Sequence, residues 1–292
     1  MKIGVIGLGI VGNAFYEGMK HAFEVVRYDK FNSARSDVPD IETLVSETDG
    51  PIFICVPTPM KPDGSCSIEI VDEVINEIST LEYAAMCSAC APCSGRKTRV
   101  LVVKSTILPG TIRMLNYKYG ESVQVVFNPE FLTEANPVED FKKQDRIVIG
   151  GHGSATHQIG ELYVQAYPGI PIVECSGTAA EMVKYVANCF LATKVSFANE
   201  IYQICDKLGV DYNTVISTAT LDKRLGKSHW QVPGPDGHFG FGLTCFPKDL
   251  NALISLAESQ GVDAKVMKAV WEKNLEVRPE RDWEQMKGRA VL

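Results

Sequence analysis

Short β-rich runs recur through the first 175 or so residues, at Lys2 to Ile6, Glu24 to Tyr28, Ile52 to Val56, Arg99 to Val103, Val123 to Phe127, Arg146 to Ile149 and Ile172 to Glu174, with helix-like stretches between them. A helix between two strands returns the chain to the same edge, so the alternation predicts a parallel sheet with helices on both faces. From Gly177 to Leu208 the pattern changes to one helical stretch with no Pro and no internal Gly. It is too long for a crossover helix and reads as a spine joining two domains. After it come a helix-like Asn213 to Ala219, a Gly/Pro-rich loop from about Asp222 to Pro247, and helical stretches at Asp249 to Gln260 and Asp263 to Leu275. The expected organisation is a Rossmann-like doubly wound α/β domain over residues 1–176, then an all-helical domain over residues 177–292 that contains the spine.

With 45% apolar residues among 292, the chain has material for one large or two ordinary domains with a real core. A net charge of −7 and a pI near 5.4 give no global attraction to nucleic acid or to an anionic membrane, so any anionic ligand must be held by local groups. A strand-like Met1 to Ile6 at the start, no signal peptide and no apolar stretch of about 18 residues lead to the expectation of a cytoplasmic chain. In that setting nine cysteines are expected as thiols. Cys87, Cys90 and Cys93 have the spacing of metal ligands, but a closed tetrahedral site needs a fourth, so no metal is expected. The five histidines, His21, His152, His157, His229 and His238, show no ligand spacing and read as surface residues.

Gly7-Leu8-Gly9-Ile10-Val11-Gly12 follows an apolar strand and opens a helix, and Asp29 ends the next strand. The first Gly permits the tight turn, the second lets backbone approach a pyrophosphate at the helix N-terminus, and the third allows close packing. The Asp29 carboxylate would accept from ribose hydroxyls and repel a 2′-phosphate, which favours NAD over NADP; the neighbouring Lys30 partly offsets that repulsion. Three further segments follow strands: Cys55-Val56-Pro57-Thr58-Pro59, Lys104-Ser105-Thr106, and Asn128-Pro129-Glu130-Phe131-Leu132-Thr133-Glu134. Carboxyl ends of parallel strands are where open α/β sheets place ligands, so Val56, Pro57, Thr58, Ser105, Thr106 and Glu134 join the candidate cofactor residues.

Cys245 lies in Gly240-Phe241-Gly242-Leu243-Thr244-Cys245-Phe246-Pro247-Lys248-Asp249. An aldehyde has no carbon bearing both a hydride and an oxygen substituent in tetrahedral geometry until a nucleophile adds. A thiolate supplies one, giving a thiohemiacetal that can lose a hydride to become a thioester. A cysteine beside a nicotinamide site therefore points to an alcohol carried through to a carboxylate. Lys184 and Asn188 stand at i, i+4 on the spine and can share one pocket, where an ammonium and an amide would stabilise an alkoxide.

These motifs together resemble the UDP-glucose/GDP-mannose dehydrogenase family, in particular its UDP-glucose 6-dehydrogenase branch, from Met1 to about residue 275. The resemblance implies that Cys245 is the covalent nucleophile and that Lys184 stabilises the developing oxyanion. It implies that Asp249 and Thr106 hold a catalytic water, that Glu130 steers acid–base traffic and thioester hydrolysis, and that Glu134 lies near the substrate or water network. Phe131, Leu132, Phe239, Gly240, Gly242 and Lys248 would contact a nucleotide-sugar substrate, the glycines through backbone amides near the diphosphate. Arg224 matches an arginine that reaches the substrate of a neighbouring subunit, which implies a homodimer. Full-length members carry a third, UDP-binding domain, which this chain is expected to lack. Leu243-Thr244 replace a Gly and a small residue before the cysteine; Leu enters φ > 0 less cheaply than Gly, so a displaced loop is expected. Two other functions stay open: a degenerate relative that binds NAD or a nucleotide sugar without turnover, and a β-hydroxyacid dehydrogenase, which would share the layout but have no use for Cys245.

Overall fold

A computed structural model describes residues 1–88 and 98–292, apart from the Ser88 side chain. Two compact units emerge, one of Met1–Thr58 with Ile68–Lys184, the other of Pro59–Ser67 with Tyr185–Leu292.

The first unit runs β1 (Lys2–Ile6), α1 (Ile10–Met19), β2 (Glu24–Tyr28), α2 (Ile41–Glu47), β3 (Ile52–Ile54), α3 (Glu69–Ser88), β4 (Arg99–Val103), α4 (Thr111–Tyr119), β5 (Val123–Phe127), α5 (Pro137–Lys142), β6 (Ile147–Gly150), α6 (Ser154–Ala166) and β7 (Ile172–Cys175). The strands form one sheet in the order β2-β1-β3-β4-β5-β6-β7. Alternate residues of β4 show why it is doubly wound. Leu101 and Val103 enter a core with residues of α2, α3 and α4, whereas Val100 and Val102 enter a second core with residues of α1, α5 and α6. The expectation of a wholly parallel sheet needs one correction: β6 runs antiparallel to β5, meeting it through Phe127 and Gly150. A short helix, α5, connects the two, and β6 then restores parallel pairing with β7.

Helix α7 (Gly177–Leu208) has the predicted bounds. Its first turns belong to the first unit, where Glu181, fully buried, accepts from the amides of Gly110 and Ile112 at the start of α4. Both orphan amides thereby gain a carboxylate partner.

The second unit holds the remainder of α7, then α8 (Tyr212–Ala219), α9 (Cys245–Ser259) and α10 (Lys265–Val277). Ala198 and Cys205 of α7 pack with Tyr212 and Val232 in its core. The segment Pro59–Ser67 joins this unit through the chain's last residues: Met60 N–H donates to Ala290 O, and Leu292 N–H to Met60 O. Among the described residues no helix is long and apolar enough to cross a membrane.

Candidate active site

In the first unit the glycine motif has the backbone a dinucleotide requires. Gly7 sits at φ +88°, and a Cβ on Gly12 would lie 1.8 Å from Gly7 O, so neither position accepts a side chain. Gly9 precedes α1 with no atom within 4 Å of where its Cβ would project. The N-terminus of α1 thus faces open space without a side-chain cap, a fit for a pyrophosphate. Asp29 is already engaged on both oxygens, by Leu8 N–H at 2.6 Å and Phe31 N–H at 2.9 Å. These bonds fix its carboxylate at the end of β2 and leave further lone pairs for a ribose. Lys30 is exposed beside it, near the Phe31 ring.

The strand-end segments brace one another. Thr58 Oγ1 donates to Thr106 O, and Ser105 Oγ donates to Val56 O. The two hydroxyls are therefore committed to joining these turns, while Pro57 stays exposed. Lys104 lies fully within the protein, donating to Asn128 O at 3.3 Å and Asn128 Oδ1 at 2.8 Å, and Tyr163 O–H donates to the same Oδ1. Burial pushes the Lys104 ammonium down to about 8, against the pull of Cys55 and Glu130. Burial likewise raises the Cys55 thiol to about 12, which keeps it protonated near neutral pH.

Lys184, at the last position of this unit on α7, donates to Glu130 O at 2.6 Å and to Glu130 Oε1 at 2.9 Å. Glu130 Oε2 accepts from Leu132 N–H, so the turn after β5 is wrapped around its own carboxylate. The Phe131 ring lies beneath two cations, Arg146 at 4.4 Å and Lys184 at 5.6 Å. Glu134 is partly exposed on the same turn.

In the second unit Cys245 is the first residue of α9, not a loop residue, and Thr244 Oγ1 stands 3.6 Å from its sulfur. One turn on, Lys248 and Asp249 form a buried ion pair, and Asp249 Oδ2 also accepts from Asn188 Nδ2 at 2.6 Å. Burial opposes the Lys248 ammonium, but Asp249, Cys66 and Cys245 outweigh it and hold its pKa above the ordinary lysine value. Arg224 is chelated by its neighbour Asp222 and its side chain is 88% exposed.

The loop before Cys245 differs from expectation. Gly240 N–H donates to Asn199 Oδ1, Phe241 N–H to Asn274 Oδ1, and Leu243 N–H to Asp282 Oδ2. The Gly240 amide, expected to approach a diphosphate, is taken by the protein itself. Its glycine is demanded by packing: at φ +66°, a Cβ would meet Asn274 Oδ1 at 2.4 Å. A Cβ on Gly242 would meet the Arg278 guanidinium and Asp282 at the same 2.4 Å. Leu243 occupies φ +60°, the region where Gly was expected. Phe239 stays partly exposed, its ring edge-on to Tyr202. His229 is half-buried against the Phe246 ring, so it is no surface residue.

The described cysteines are thiols. Cys90 and Cys93 lie outside the described residues. Among those described, no group of three His, Cys, Asp or Glu side chains could hold a metal. Asn199, Asn274, Arg278 and Asp282 went unread in the sequence; the only trace was the i, i+4 charge pair of Arg278 and Asp282, a pattern that usually marks a solvated helix face.

Two family models match the chain: "UDP-glucose/GDP-mannose dehydrogenase family, NAD binding domain" over residues 38–167 and "central domain" over residues 178–276. The chain is 37% identical over 230 residues to a UDP-glucose 6-dehydrogenase of Rickettsia bellii, an overlap covering 77% of this chain and 49% of the relative. It is 35% identical over 229 residues to the UDP-glucose 6-dehydrogenase YwqF of Bacillus subtilis, covering 76% and 48%. The chain thus spans about half the length of the curated relatives it matches. Among solved structures, a UDP-glucose dehydrogenase from Pyrobaculum islandicum superposes with a TM-score of 0.80 at 32% identity, covering 98% of this chain and 70% of that one.

Proposed function

The chain belongs to the UDP-glucose/GDP-mannose dehydrogenase family, and from that premise we propose that it is an NAD-dependent nucleotide-sugar dehydrogenase that oxidises a sugar 6-hydroxyl to a carboxylate through Cys245, UDP-glucose being the preferred substrate. The observation that carries the reading is the start of α9. Cys245 opens the helix, and the next turn buries Lys248 and Asp249, with Asn188 on the carboxylate. Charged groups are rarely kept out of water at a helix start unless the site uses them.

Gly7, Gly9, Ile10, Val11, Gly12, Asp29 and Lys30 would hold the dinucleotide, with Val56, Pro57, Thr58, Ser105, Thr106 and Glu134 along the strand ends. NAD, when bound, supplies the hydride acceptor. Lys184 would release its hold on Glu130 to stabilise charge on the substrate oxygen, and Asn188 would assist it. The sugar 6-hydroxyl would give its proton to water and its carbon a hydride to the acceptor, leaving an aldehyde, and the Cys245 thiolate would add to the aldehyde carbon to form a thiohemiacetal. Loss of a second hydride from that carbon, with the hydroxyl proton passing to water, leaves a thioester. Water attacks it, the C–S bond breaks, and the thiol and a carboxylate are released, with Glu130 accepting the water's proton and Asp249 orienting the water. Phe131, Leu132, Phe239, Gly240, Gly242 and Lys248 line the nucleotide-sugar path in this reading, Gly240 by its small size.

A homodimer belongs to the same proposal. Val186, Phe190, Phe197, Ile204 and Leu208 of α7 are 48–71% exposed at helical spacing, an apolar stripe suited to a second copy, and the exposed Arg224 would exchange its Asp222 partner for that copy's substrate. Light scattering at micromolar concentration checks it, a monomer counting against both.

The deciding experiment follows NADH against sugar consumed with UDP-glucose, GDP-mannose and UDP-N-acetylmannosamine. Two NADH per sugar are expected, with an ester adduct accumulating on Cys245→Ser by intact mass. One NADH per sugar, or full turnover by Cys245→Ala, would leave a simple alcohol dehydrogenase such as a β-hydroxyacid enzyme. Binding without any turnover would leave the degenerate relative.

A further inference from the structure

Leu243 stands two residues before Cys245 at φ +60°, a left-handed conformation unfavourable for an L-residue. Such a residue persists only when its surroundings hold it there. Its N–H donates at 2.9 Å to Asp282 Oδ2. The other oxygen, Asp282 Oδ1, accepts from Arg278 Nε at 2.7 Å, and Arg278 Nη1 donates at 2.8 Å to Asp236 Oδ2. Arg278 is only 2% exposed, and Gly242 lies so close that a Cβ there would strike both members of the pair. Burial alone would raise the Asp282 carboxyl, but the guanidinium and the Leu243 amide hold it below the usual range, in keeping with a carboxylate that is fully engaged. Both residues fall beyond residue 276, where the match to the family's central domain ends.

We propose that Arg278 and Asp282 are positioning residues for Cys245: their ion pair clasps the Leu243 amide, fixes the left-handed turn that a glycine would adopt unaided, and so sets Thr244 and Cys245 at the start of α9. The inference rests on Cys245 being the nucleophile. A thiolate at a helix start is favoured by the amides there, and a turn that drifts carries the sulfur off that spot.

The test reads Cys245 directly, by its alkylation with iodoacetamide in the full chain, quantified by peptide mass with the exposed Cys87 as internal reference. Asp282→Ala removes the acceptor and is expected to slow Cys245 about tenfold or more relative to Cys87, the weight of one charge-assisted hydrogen bond. Asp282→Asn keeps one oxygen for the Leu243 amide but gives up the charge and the acceptor for Arg278 Nε, so its rate should fall between those of wild type and Asp282→Ala. Adding Leu243→Gly to Asp282→Ala should restore it, because glycine holds φ > 0 without help. Loss of a general fold contact would not be cured at Leu243. Should Asp282→Ala fail to fold, Asp282→Ser, polar but too short to reach the amide, takes its place with the same expectations. An unchanged Cys245 rate in Asp282→Ala, an equal change at Cys87, or no recovery with Leu243→Gly overturns the proposal. Recovery in a chain that shows no sugar oxidation would keep the clasp and refute the dehydrogenase reading; turnover by wild type without the alkylation pattern would do the reverse.

Discussion

Two buried lysines, one in each unit, are pushed in opposite directions. Lys104, 3% exposed, donates to neutral oxygens of Asn128 and falls to about 8. Lys248, 7% exposed, is paired with Asp249 and is held above its ordinary value. Burial is nearly the same, so the partner decides the sign. The two regions also differ in how they are built. Lys104 stands at the end of β4, its N–H on Ile54 O, so the sheet ladder places it. Lys248 follows a loop whose amides are held one by one by side chains of Asn199, Asn274 and Asp282. A site on a sheet inherits its precision from repetition; the second needs a dedicated contact for each peptide.

The largest test of this contrast removes the partner. Asp249→Asn leaves Lys248 buried without a carboxylate and should cost about 3 to 5 kcal/mol in urea denaturation near neutral pH. Lys248 should then behave as Lys104 does, its folded pKa falling below 10.5, so that the variant gains stability as pH rises above neutrality. A loss under 1 kcal/mol would mean that water reaches the pair.

Lys104 gives the next effect. Its folded pKa of about 8 lies below the unfolded 10.5, so the unfolded chain binds the extra proton between those values and stability increases with pH across that window. Below it both states are charged and the penalty is constant; the whole rise is roughly 3 kcal/mol. Comparing wild type with Lys104→Met from pH 7 to 10.5 isolates it, and parallel curves would show that Lys104 is not depressed.

Smaller effects come from the loop. Gly242→Ala places a methyl against Arg278 and Asp282 and should cost about 1 to 3 kcal/mol in thermal unfolding. Leu243→Gly relieves the left-handed backbone but frees the unfolded chain and gives up packing, so its net change should stay within about 1 kcal/mol of zero. If Gly242→Ala proved as mild as Leu243→Gly, the loop would be looser than its contacts imply.

The amino-acid sequence determined what depends on local periodicity and on steric demands close in the chain: the seven strands, the bounds of α7, the Gly7 turn, and the placing of Glu130 after a strand and of Lys184 and Asn188 on one helix. The resemblance to the family, not a local pattern, marked Leu243 as a residue in a glycine's place. Only the tertiary structure decided the rest. The antiparallel β6, the Asn128–Lys104–Tyr163 cluster, the joining of Pro59–Ser67 to the chain's last residues, and the Arg278–Asp282 clasp each couple segments far apart in sequence. Whether a lysine is raised or lowered, and whether a glycine faces a ligand or a neighbouring side chain, depends on which distant group arrives beside it, and no pattern along the chain encodes that meeting.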